Sequence, residues 1–131
     1  MLSVPENANV VELPTSRFWV EDSGIVCVLS KKAEPQTMEE ARRSVEVFRS
    51  HFPDEKVCVI IDVTHTTERT REVREYAAEV FPEMFKAIAM VSASALGRML
   101  ANLFFNLKSQ PYPVKMFDSE AEARAWIKKY Q

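Results

Sequence analysis

Residues able to do chemistry gather in one stretch of this chain. Asp62 closes the apolar run Val57-Cys58-Val59-Ile60-Ile61, and the polar string Val63-Thr64-His65-Thr66-Thr67 follows it. A carboxylate near a histidine is the beginning of a general acid–base pair. Hydrolysis also needs a nucleophile beside that pair, and threonine is a weak one without an activating base. Asp62 has a plainer use, orienting the loop through backbone hydrogen bonds. The sequence places no second catalytic partner, so no enzymatic activity is expected. Cys27 and Cys58 stand inside apolar runs, where a thiol is buried, reduced and inert. With His51 and His65 the only histidines, the ligands are too few and too scattered for a metal centre. No metal and no cofactor is expected.

Thr66, Thr67 and Thr70 are candidate phospho-acceptors. The plainer reading is that their hydroxyls satisfy loop and helix-start donors. A second candidate is a rim for an anion or other ligand, formed by Asp62, Thr64, Arg71, Ser92, Ser94 and Arg98. In open α/β sheets, ligands gather outside the carboxyl ends of the strands. There, free N–H groups at helix starts attract negative charge. Arg71 and Arg98 fall near two such starts, where a cation is mildly unfavourable on its own. They would meet an acidic partner, or each pairs with a nearby carboxylate such as Glu68 or Glu75. A third candidate is an apolar pocket or interface at Phe81, Leu100, Phe104 and Phe105.

These residues need elements to hold them. Val10–Leu13 reads as a short strand stopped by Pro14, at the end of a loose or extended arm. Phe18–Val20 and Ile25–Leu29, joined by Asp22-Ser23-Gly24, read as a hairpin. Met38, Ala41, Val45, Phe48 and Phe52 recur at helical steps over 37–51. Thr37 with Glu40 forms a capping box at its start. The run Val57–Ile61 suits a strand buried on both faces. A helix is expected over 68–80, with Val73, Tyr76, Ala77 and Val80 inward and Phe81-Pro82 ending it. Ala87–Val91 is a further strand. Ser94 caps a helix to about Leu107, whose core stripe is Leu96, Met99, Leu100, Leu103 and Leu107. Val114–Phe117 is the last strand, and Ser119 with Glu122 opens a final helix carrying Ala123, Trp126, Ile127 and Tyr130 on one face. The order predicts an α/β domain over 15–131, behind an arm over 1–14. Its sheet is mostly parallel, with an antiparallel hairpin strand at its start and about four helices.

The chain has 131 residues, which suits one domain, with 17 basic and 19 acidic side chains and a net charge of -2. That balance argues against a nucleic-acid binder. Two glycines cannot build a phosphate-cradling loop. The first residues lack a basic start and an apolar core, no apolar run reaches a membrane span, and a cytoplasmic location is expected.

Several strings resemble the SpoIIAA-like (STAS/SEC14-type) bacterial domains over roughly 17–130. They are Trp19-Val20-Glu21-Asp22 with Gly24-Ile25, and Val59-Ile60-Ile61-Asp62 before the loop. Further on come Ser94 through Arg98 to Asn102, Pro113-Val114-Lys115-Met116-Phe117, and Ala123 with Trp126-Ile127. The resemblance implies a sheet covered by four helices. In STAS proteins a Ser or Thr after the third strand is phosphorylated to switch a protein partner, in a string such as Asp-Ser-Ser-Gly. The corresponding stretch here is Glu68-Arg69-Thr70-Arg71, without the glycine or the paired serines. SEC14-type relatives imply instead a pocket for a lipid or other small apolar ligand. The expected function is a noncatalytic regulatory or protein-interaction module. The alternative is a small-ligand or lipid-binding domain with its pocket under the 94–107 helix. The apolar groups spread around that helix (Leu103, Phe104, Phe105, Leu107) also suit a dimer surface, and a homodimer is expected. The partner is an unknown protein or a small apolar ligand.

Overall fold

The computed structural model describes residues 2–106 and 110–131, apart from the side chain of Asn106. Leu107, expected at the end of the third helix's core stripe, lies outside the described residues, as does Met1 of the arm. The strands are β1 (Val11–Glu12), β2 (Ser16–Val20), β3 (Val26–Ser30), β4 (Val57–Asp62), β5 (Phe85–Val91) and β6 (Val114–Phe117). The helices are α1 (Met38–His51), α2 (Arg71–Met84), α3 (Ala95–Asn106) and α4 (Glu120–Ile127), closed by a 3-10 turn over Lys128–Tyr130. The six strands lie side by side in chain order. β1–β2 and β2–β3 pair antiparallel, and β3 through β6 pair parallel. This is the α/β architecture expected, hairpin included. Gly24 supplies the positive φ of 90° that the hairpin turn needs.

Three successive crossovers advance in one direction across the sheet. Right-handed connections then place α1, α2 and α3 on the same face. Burial agrees. Val26, Val57, Val59, Ile88 and Met90 form one core with Val45 and Phe48 of α1, Met84 of α2, and Ala101 and Phe105 of α3. The alternate residues Cys27, Cys58, Ile60, Ala87, Ala89 and Val91 form a second core with Ala123 and Ile127 of α4. The period-two alternation of a strand thus feeds two cores. The second is completed by the arm, where Leu2 is buried and Val4, Ala8 and Val10 pack against it. The arm is docked rather than loose.

Local rules explain most helix ends. Thr37 and Glu40 exchange both hydrogen bonds of a capping box. Ser119 accepts from the Glu122 N–H, but Glu122 returns to the Ser119 hydroxyl and not to its backbone. Pro82 does not end α2. It sits in the last turn of the helix, two residues before Met84 ends it and Phe85 enters β5. The stripe expected on α3 is also turned. Leu96, Met99 and Leu103 are 60%, 52% and 50% exposed, while Ala101 and Phe105 are buried. Gly97 explains the rotation. Its Cα faces the carbonyl oxygens of Val63 and Thr64 so closely that a side chain has no room. The helix turns Gly97, Ala101 and Phe105 inward and leaves Leu96, Met99 and Leu103 outside.

Candidate functional site

The strand ends place Asp62, Thr64, Ser92 and Ser94 at one rim, but the groups there are already bonded to each other. Asp62 is 1% exposed. Its carboxylate accepts from the Leu2 N–H at 3.1 Å, the Thr64 N–H at 2.9 Å and the Thr64 hydroxyl. Burial works to raise its pKa, yet these hydrogen bonds outweigh burial and hold it below its usual value. The Thr64 Oγ1 in turn accepts from the Ala93 N–H at 2.9 Å. Ser92 donates to the Ser94 carbonyl at 2.7 Å and accepts from the Ser94 N–H at 3.0 Å. Ser94 caps α3 through the Gly97 N–H at 3.2 Å. These contacts tie the β4 and β5 loops to one another and to the arm.

The two rim arginines point to carboxylates. Arg71 is 85% exposed and pairs with Glu75 at 2.9 Å, and Arg98 pairs with Asp118 at 2.9 Å. Thr70 is the N-cap of α2, its hydroxyl accepting from the Val73 N–H at 3.2 Å. Thr66 and Thr67 lie half-buried in the loop before it. Cys27 and Cys58 are free and buried. Burial pushes the Cys27 thiol up to about 12, helped by the Glu21 carboxylate, and burial also raises Cys58. Both are therefore protonated and poorly nucleophilic. His65 is exposed and donates its backbone N–H to Ser30 Oγ at 3.0 Å. His51 lies on the far side of the sheet from the cysteines, its ring edge-on to Phe18 at 5.4 Å.

The open space is elsewhere. A cavity of about 160 Å3 lies between the first sheet face and α1, α2 and α3. Of the expected pocket residues, Phe81, Phe104 and Phe105 line it, and Leu100 does not. Phe48, Met84, Phe85 and Ile88 line it too. The aromatic rings there pack edge to face, Phe81 on Phe85 at 5.0 Å and Phe104 on Phe105 at 4.9 Å. Polar residues cluster at one end, near where β3 and β4 finish: Ser30, Thr15, Gln36, Thr66, Thr67 and Arg69. Ser44, from α1, also lines the cavity, and its buried Oγ has no hydrogen-bond partner among the described residues.

Arg69 was not among the residues singled out by sequence. It falls in the first turn of the helix expected over 68–80, whereas α2 begins at Arg71 with Thr70 as its N-cap, so Arg69 lies just before the helix. Here its guanidinium lies 5.7 Å from the centre of the Phe104 ring. Nη1 donates to the Thr67 carbonyl at 2.9 Å and to Thr67 Oγ1 at 3.1 Å. Burial pushes its pKa below the usual arginine value. Only the run of Phe81, Phe104 and Phe105, more apolar than two helices need, hinted that a space lay nearby.

A family model described as "Domain of unknown function (DUF7793)" matches residues 18–131. No curated protein matches the sequence. Among solved structures, an uncharacterised protein of the DUF3478 family with a SpoIIAA-like fold, from Shewanella loihica PV-4, is similar. It is 16% identical, with 89% of this chain and 97% of that chain covered and a TM-score of 0.61. A protein with unknown function from Arthrobacter sp. FB24 is 24% identical, with 95% and 96% covered and a TM-score of 0.30. The fold is thus SpoIIAA-like, as the sequence resemblance implied.

Proposed function

This chain belongs to the DUF7793 family, and from that premise we propose that it is a noncatalytic binding domain for a small apolar ligand. The observation that carries this reading is the cavity between the sheet and α1–α3. Protein interiors pack to crystal-like density, and a space of this size is uncommon without an occupant. An engineered apolar cavity of about 150 Å3 takes up benzene. The cavity here, about 160 Å3, suits a body of that size. The noncatalytic half of the reading is supported by the rim. Asp62 is committed to Leu2 and Thr64, and the Cys27 thiol stays protonated.

Saturation-transfer NMR with toluene tests the reading. Toluene signals should be saturated through the wild-type protein and not through Ser44→Phe, which puts a ring into the space. No transfer in the wild type at millimolar toluene overturns the proposal.

One observation favours a second reading, a protein-interaction module that is a homodimer. Leu96, Met99 and Leu103 make an apolar stripe on the outer face of α3, at least 50% exposed throughout. Light scattering after gel filtration checks it. A dimer in the wild type that becomes a monomer in Met99→Glu supports the stripe as the interface, and a monomeric wild type removes the homodimer.

A further inference from the structure

We propose that the cavity selects a small carboxylate, with Arg69 holding its head and the phenylalanine-lined end taking a benzene-sized body. This inference rests on the small-ligand reading above and adds the chemical class. Among the described residues Arg69 has no carboxylate partner. Its hydrogen bonds use Nη1 alone, toward Thr67, which leaves Nε and Nη2 without an acceptor among the described residues. A guanidinium taken partly out of water without an anion is costly, and a chain under selection for stability alone would pair or replace it. The two arginines expected at the rim each have a carboxylate, Arg71 with Glu75 and Arg98 with Asp118. Arg69 is the exception, and it is the one that lines the cavity.

The two remaining donors lie on one edge of a planar fork, the arrangement that grips a carboxylate through two parallel hydrogen bonds. The hydroxyls of Thr66 and Thr67 stand at the same end. Toward the start of β5 the lining offers Phe48, Phe81 and Phe85. Polarity therefore changes along the cavity, from a single cation with hydroxyls to rings and aliphatic carbons. One positive charge matches one negative charge, and the volume limits the body to about one ring. A ligand with a charged head and a small apolar body satisfies both ends, whereas a purely apolar one leaves Arg69 unpaired.

The test uses the full chain and three probes of similar size: benzoate, benzamide and toluene. Dissociation constants are measured at neutral pH by NMR titration, for the wild type and for Arg69→Met. Benzoate should bind the wild type at least about tenfold more tightly than benzamide. Arg69→Met should erase that preference while still binding toluene. Thermal melting of Arg69→Met supplies the check on folding, because loss of an uncompensated cation should leave its melting temperature equal or higher. Equal binding of benzoate and benzamide by the wild type overturns the carboxylate assignment and leaves the apolar-ligand reading standing. Toluene binding without benzoate binding does the same. No binding of any of the three overturns both readings. A preference for benzoate that survives in Arg69→Met would also overturn the role of Arg69.

Discussion

At the scale of single residues, chemistry visible in the sequence and chemistry available in the fold are different things. Asp62 looks like a general acid or base when read beside His65. In the fold it is an internal strut, bonded to the arm through Leu2 and to the loop through Thr64. Its depressed pKa fixes the sign of a pH effect. A carboxylate that is more acidic folded than unfolded stabilises the protein fully above its unfolded value. That contribution is lost as pH falls through the folded value. Glu21 behaves alike, lowered first by the hydrogen bonds of Arg124, which grips both its oxygens at 2.8 Å. The ordinary values are 3.8 for aspartate and 4.5 for glutamate. The melting temperature should therefore hold steady down to about pH 4.5 and fall below it, by thermal scans across pH 3 to 7. Asp62→Asn should cost about 2 kcal/mol at neutral pH, since an amide sets an N–H against the donors that Asp62 accepts from. Its acid limb should be shallower than that of the wild type. A variant as stable as the wild type at neutral pH would show that the strut is not needed.

At the scale of elements, the clearest case is α3. Its sequence has leucine and methionine at helical spacing, and that spacing predicts an inward stripe. The fold buries the opposite side, Ala101 and Phe105, because Gly97 brings the helix axis against the Val63 and Thr64 carbonyls. Gly97→Ala sets two effects against each other. Alanine favours an isolated helix by about 1 kcal/mol. Its Cβ, however, meets backbone oxygens that cannot swing away, and overpacking of that kind costs about 1–3 kcal/mol. The clash should win, and chemical denaturation should report a net loss of about 1–2 kcal/mol. A gain would mean that the loop yields. The same comparison says what a sequence can and cannot reveal. The order of elements along the chain, the hairpin turn at Gly24 and the caps at Thr37, Ser94 and Ser119 follow from neighbours a few residues apart, and these are legible. The end of α2 beyond Pro82, the rotation of α3 and the entry of Arg69 into the cavity depend on contacts between distant segments. Periodicity does not encode which apolar side of a helix will find the sheet when both sides are apolar.

At the scale of the whole molecule, the sheet separates two cores built differently. The core beneath α4 mixes small residues, Cys27, Cys58, Ala87 and Ala89 of the sheet and Ala123 of the helix, with Ile60 and Val91, and the arm seals the remainder. The face beneath α1, α2 and α3 carries large rings that prop the helices away from the strands and leave the cavity. A hollow core has fewer partner atoms per side chain and less to lose on opening. Hydrogen exchange should accordingly divide the molecule. Amides of β4 and β5 should exchange only with global unfolding, as should those of α4. Amides of α2 should exchange through a smaller opening that lifts the helix off the cavity. Ser44→Phe fills the space and removes a buried hydroxyl without a partner among the described residues. It should slow α2 exchange selectively and raise the melting temperature by a few degrees, on the order of 1 kcal/mol. If α2 exchanges as slowly as β4 in the wild type, the cavity has no easy door, and a ligand would have to enter during folding. If filling the cavity slows exchange everywhere equally, the two cores are a single cooperative unit and the contrast in packing has no dynamic consequence. Selective slowing would mean that the looser face is the one that opens, and that opening is the route by which a small ligand reaches Arg69.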